Sequence, residues 1–209
     1  MKTRTLILLL LLCSGRLFAQ TTEKFTPALM ETKSGAKVVY TGDNHSVTLD
    51  IVSKNIKPTK NPNLLIVDGK TFQFMLIPND ALSTTDTTLA RQKAELLGYA
   101  EYEIDYAKKE LKIEISGITQ KWATINNNLF LLWYYNMPPS ADKRSTLQQL
   151  NLSTLCFAHV LNLNNAVTEG ETLETNSGLL LNAAKTLSLN NFKIDLDTLY
   201  KQLQDEMKQ

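Results

Sequence analysis

Residues 129–137, Leu-Phe-Leu-Leu-Trp-Tyr-Tyr-Asn-Met, constrain this chain more than any other stretch. The run is too short for an ordinary helix, and Pro138 and Pro139 follow it at once, so it reads as a strand. Side chains on a strand alternate between two faces. The odd positions carry Leu129, Leu131, Trp133, Tyr135 and Met137; the even ones carry Phe130, Leu132, Tyr134 and Asn136. Neither face is polar along its length, which predicts a strand covered on both sides and inside a sheet rather than at its rim. Residues 155–163 have the same character and are its expected neighbour.

The first 19 residues read as a cleaved leader. Lys2 and Arg4 precede the apolar run 6–12, and Leu17-Phe18-Ala19 sets up a cut before Gln20. That apolar run is far short of the ~20 residues a membrane span needs, so no transmembrane anchor is expected after cleavage. Cys13 raises a lipid anchor as the alternative, but the bulky Leu12 stands where lipid processing wants a small residue. The leader's ending resembles signal peptides of Gram-negative bacteria, and the chain is expected to be periplasmic or secreted.

The full chain has 22 Lys and Arg against 21 Asp and Glu; losing Lys2, Arg4 and Arg16 with the leader turns the net charge to −2. No basic tract remains, which argues against nucleic acid or an anionic membrane surface as partner. Cleavage also leaves Cys156 as the sole cysteine, so the exported chain must hold together by burial without an internal disulfide. The remaining length of about 190 residues suits one domain with a substantial core.

Residues 20–36 have no clean period and are expected to form a flexible lead-in, with a single domain over 37–209. Within it, Val47, Leu49 and Ile51 alternate with Ser46, Thr48 and Asp50, the pattern of a half-buried strand. Asp68-Gly69 between two apolar runs predicts a tight hairpin, because both residues tolerate positive φ. Residues 83–86 offer N-cap oxygens to a helix that Gly98 would end. Beyond it, Ala100, Tyr102, Ile104 and Tyr106 alternate with Glu101, Glu103 and Asp105. A helix could continue through Tyr106, but the alternation favours a strand with one acidic, wet face, and 111–115 as its return arm. Trp122 opens a further strand, and Asn126-Asn127-Asn128 turns it into 129–137. Residues 138–153 read as a polar crossing loop with a turn of helix near 146–150. Two closing helices follow, one interrupted by Gly178 and one capped by Asp195 or Asp197. This order predicts an α+β fold, a mainly antiparallel β-sheet with helices packed against it.

Over residues 64–189 the order of elements resembles the PsbP-like fold of small exported accessory proteins, an α/β/α sandwich. The residues that carry the likeness are 69–78 (Gly-Lys-Thr-Phe-Gln-Phe-Met-Leu-Ile-Pro), the helix after them, and 129–138. The tryptophan common soon after that proline in the family is absent. The resemblance implies an accessory or binding role rather than a reaction.

Residues capable of chemistry are few and scattered. His45 lies beside Asp43 and near Asp50, which reads as a turn histidine, since structural metal sites want more ligands at close spacing. His159 alternates with Phe157 and Leu161 on the predicted second core strand, where a hydrogen-bonded buried imidazole is expected. Cys156 lies three residues from His159, and on one strand the two would point to opposite faces. Ser-x-x-Lys occurs at Ser34–Lys37 and Ser140–Lys143 without the motifs that accompany it in serine acyltransferases. Glu101, Glu103 and Asp105 would stand too far apart along a strand to share a cation. No metal site, cofactor or catalytic residue is therefore expected.

Trp122, Trp133, Tyr134 and Tyr135 converge on one hairpin and are the candidate ligand- or partner-binding residues. The expected function is a non-catalytic exported binding module whose partner is an envelope protein or a small ligand. The alternative is a hydrolase with a site gathered from Ser140, Lys143, His45 and Asp43.

Overall fold

The computed structural model describes residues 22–79, 88–139 and 145–209. The leader with Cys13, the cap candidates at 83–86, and Ser140 and Lys143 lie outside those residues.

Two antiparallel sheets and, among the described residues, three helices make an α+β fold. The first sheet has the order β1 (Thr26–Thr32), β2 (Gly35–Thr41), β3 (Ser46–Val52) and β11 (Ser188–Asn190). The second has seven strands. From one edge they are β4 (Ile56–Pro58), β5 (Leu64–Val67), β6 (Lys70–Pro78), β10 (His159–Val167), β9 (Gln148–Cys156), β8 (Asn128–Asn136) and β7 (Ser116–Ile125). The helices are α1 (Leu89–Lys109), α2 (Leu173–Ala184) and α3 (Leu196–Lys208). Among the described residues no helix is long and apolar enough to cross a membrane.

The inner faces of the two sheets share one core. Val38, Leu49 and Ile51 of the first sheet meet Phe72, Phe74, Phe130, Leu152 and Leu161 of the second, with Leu180 and Ala183 of α2 filling the same layer. The outer face of the second sheet has its own core, in which Leu131, Trp133 and Val160 pack under Leu96, Ala100 and Ile104 of α1. The strand β8 therefore has neighbours on both edges and apolar cover on both faces, as its composition predicted.

The first sheet is covered on its far side as well. Helix α3 packs on β1 and buries Leu203. The Ser46 hydroxyl donates to the Phe192 carbonyl at 2.8 Å, and the Thr41 hydroxyl to the Ile194 carbonyl at 2.9 Å. The Ser46 bond lies at the start of β3, where Ser46 and Thr48 are buried although the alternation suggests a wet side; farther along that side Asp50 is half-buried and Val52 exposed.

Several expectations need correction. The supposed flexible lead-in contains β1, paired residue for residue with β2 from Thr26↔Thr41 to Thr32↔Gly35. The acidic strand and its return arm do not form, because α1 runs 21 residues and passes Gly98 without a break. Its buried residues Leu96, Ala100, Ile104 and Ala107 are spaced four, four and three apart, a helical stripe that a short alternating run imitates. Glu101, Glu103 and Asp105 are thus helical, and Asp105 pairs with Lys109 one turn on at 2.7 Å. Nor is 155–163 one strand. A two-residue turn at Phe157-Ala158 splits it into the ends of β9 and β10, and the predicted helical turn near 146–150 runs into the start of β9. That turn carries no Gly, Asn or Pro, and Phe157 adopts φ +56° there, so composition gave no sign of it.

The Asp68-Gly69 hairpin does form between β5 and β6, with φ of +50° and +83°. Asp195, not Asp197, caps α3, accepting the Thr198 amide at 2.7 Å.

Candidate functional site

The β7–β8 hairpin is built by its turn. Asn126 and Asn127 both take positive φ, +48° and +64°, which matches the twist that antiparallel strands require. The register that follows pairs Trp122 with Leu131, Gln120 with Trp133 and Ala123 with Phe130. Directly paired residues share a face. Trp122, Trp133 and Tyr135 therefore lie on the α1 side, and Tyr134 lies on the other, packed against the inner core. The four aromatic candidates do not form one wall.

Trp133 is a core residue, 2% exposed. Its ring lies 6.1 Å from that of Tyr135 and meets Tyr99 of α1 edge-on at 6.4 Å. Its indole nitrogen donates to the Ser153 hydroxyl at 3.0 Å, and that hydroxyl donates to Asn162 Oδ1 at 2.9 Å. Asn162 Nδ2 donates in turn to Asn151 Oδ1 at 3.2 Å. This chain of neutral polar groups crosses β8, β9 and β10 beneath α1, beside the buried Asn164, which accepts from Gln149 Nε2 at 3.2 Å on the same face. Burial pushes the Tyr99 hydroxyl well above the ordinary phenol range and raises that of Tyr135, and the nearby Glu103 carboxylate pushes both the same way. Burial also raises Glu103 itself.

Trp122 differs from Trp133. It stands on β7, the edge strand, 37% exposed, with Lys93 Nζ 5.4 Å from its ring centre. The edge is long: β7 has ten residues, against three for β4 at the far side of the same sheet. Seven of its residues are exposed, among them Ile118 at 41%. A bulge between Ser116 and Thr119, with Gly117 at φ +58°, interrupts the ladder at its start. Among the described residues no strand pairs with the outer side of the rest, which carries one charged side chain, Lys121, to discourage pairing.

No protein-family model and no curated protein matches this chain.

Cys156 and His159 flank the Phe157-Ala158 turn as direct cross-strand partners, so they share a face rather than point apart. Cys156 is nonetheless fully buried, and burial drives its thiol far above the ordinary range, which works against the thiolate that nucleophilic attack needs. His45 has Glu23 as its partner, Nδ1 to Oε2 at 2.6 Å, rather than Asp43 or Asp50. Asp50 pairs with Lys37, which separates Lys37 from any role with Ser34, and Asp43 lies 3.9 Å from Lys193. Burial works against the Glu23 carboxylate, but the Asn44 amide at 2.7 Å and the His45 ring and amide outweigh it and hold its pKa below the ordinary value. Among the described residues no group of three or more His, Cys, Asp and Glu side chains could hold a metal ion.

Glu23 lies in a stretch with no period of its own, so nothing in the sequence marks it as the partner of His45. The Ser153–Asn162–Asn151 chain is hidden because 138–153 reads as loop. Period-two spacing of Asn151 and Ser153 through a strand was the one signal that could have found the latter.

Proposed function

We propose that the chain is a non-catalytic exported accessory module that captures an envelope protein along the free edge of β7. The observation that carries this reading is Trp122, 37% exposed on a ten-residue edge strand, with Ile118 exposed four residues earlier on the same strand. An extended segment of a partner would add to the sheet through main-chain hydrogen bonds, and these two side chains would give it specificity. Tryptophan is the residue type most enriched where binding energy concentrates. The resemblance of residues 64–189 to the PsbP-like fold, read from the sequence, would imply an accessory role. Trp133 and Tyr135 then serve to stiffen β8, the strand on which β7 rests, and Tyr134 anchors the same strand to the inner core.

The test is capture from an envelope fraction with residues 20–209 as bait, compared with the Trp122→Ala and Ile118→Asp variants. Loss of capture in both variants, with unchanged circular dichroism, supports the reading; undiminished capture overturns it.

A further inference from the structure

The two sheets share an inner core, yet on one side neither closes over it. There β1 is the edge of the first sheet and β4 the edge of the second, and a groove of about 630 Å³ runs between them. That volume falls within the ~300–1,000 Å³ usual for small-molecule sites. Its walls are Leu29 on β1, 38% exposed, and the half-buried Ile56 on β4, with the buried Leu65 of β5 as floor. Lys33, in the β1–β2 turn, and Lys54, just after β3, stand in the same lining with a single acidic side chain, Glu31. Lys33 and Lys54 make no ion pair with any described residue, whereas Lys37, on the neighbouring β2, is paired with Asp50.

The lining is mixed, and its apolar part, Leu29 and Ile56 above all, is unfavourable in proportion to the apolar area it leaves wet, at about 25 cal/mol per Å². Two cations against one carboxylate leave the mouth with a surplus of positive charge. We propose that this slot binds a free single-chain lipid anion, its apolar chain between the sheets and its charged head beside Lys33 and Lys54. The site is independent of partner capture at β7, which lies at the opposite edge of the seven-stranded sheet.

The probe is dodecanoate, titrated calorimetrically into residues 20–209, with dodecanol as the neutral control and anionic phospholipid vesicles as a membrane control. We expect one dodecanoate per chain. The double variant Lys33→Glu/Lys54→Glu should bind roughly tenfold more weakly with an unchanged urea midpoint, since two screened ion pairs are at stake. Dodecanol should bind more weakly than dodecanoate, and Leu29→Trp, which fills the slot, should abolish binding. The proposal is overturned if dodecanoate does not bind, if the double variant or dodecanol binds as well as the parent pair, or if only vesicles are bound. A concentration-dependent dimer that masks dodecanoate binding would equally overturn it, by giving the slot to a second copy.

Discussion

Trp133 and Ser153, twenty residues apart in sequence, are joined by a 3.0 Å hydrogen bond beneath α1, and both are buried. The indole nitrogen thereby avoids the penalty of an unsatisfied buried donor, and Ser153 passes the bond on to Asn162. Ser153→Ala strands that donor and the Asn162 carbonyl oxygen together, so it should cost about 1–3 kcal/mol. Trp133→Phe should cost a similar amount, and the double variant less than the sum of the two. Urea midpoints of the three proteins measure the coupling; strict additivity would mean that the two groups do not act on one another.

Cover on both faces of β8 can be tested at adjacent residues. Leu131 is wholly buried under α1 and Phe130 wholly buried in the inner core. Leu131→Ala should destabilise by about 2–5 kcal/mol and Phe130→Ala by about 3–5 kcal/mol, through lost transfer energy and the cavity left behind. Leu132 is only partly buried and should cost less. A near-neutral Leu131→Ala would mean that α1 does not seal that face.

The stretch 129–137 was legible because a strand with no polar face has only one kind of place to go. The hairpins at Asp68-Gly69 and Asn126-Asn127 were legible because their positive φ demands particular residues. Helix α1 was misread beyond Gly98, since Ala100 to Tyr106 satisfies both a period of two and a period near 3.6, and only tertiary burial of Ala100, Ile104 and Ala107 decides between them. The Phe157-Ala158 turn was illegible because an aromatic at φ +56° is held by its surroundings: His45 lies 4.1 Å from the Phe157 ring, and Phe25 stacks on it at 6.4 Å. Of the four aromatic candidates, Trp122 alone is exposed on the α1 side. Tyr134 was lost to the other face by the strand alternation that the sequence itself displays.

Glu23 ties the segment before β1 to the β2–β3 turn, and this tie should depend on pH. Its folded pKa lies below the ordinary 4.5, so the stabilisation it brings is present above that value and is lost as pH falls through the folded pKa. Glu23→Gln should therefore lower the urea midpoint at neutral pH, and by less at a strongly acid pH below the folded pKa, where the wild-type carboxyl is protonated as well. A variant equally destabilised at both pH values would contradict this.

Cys156 should be unreactive in the native protein. It is fully buried and its thiol is held protonated well beyond neutral pH. A thiol reagent should label it slowly until denaturant opens the β9–β10 hairpin. Prompt native labelling would show that this part of the inner core is accessible.

The most direct measurement for the account as a whole is site-specific photo-crosslinking, with a benzophenone side chain placed at Trp122 and, separately, at Val52, which is exposed on β3 in the other sheet. In an envelope fraction, position 122 should give one discrete adduct and position 52 none, and the adduct should be lost when Ile118→Asp is added. Equal adducts from both positions, or an adduct indifferent to Ile118, would contradict capture at the β7 edge.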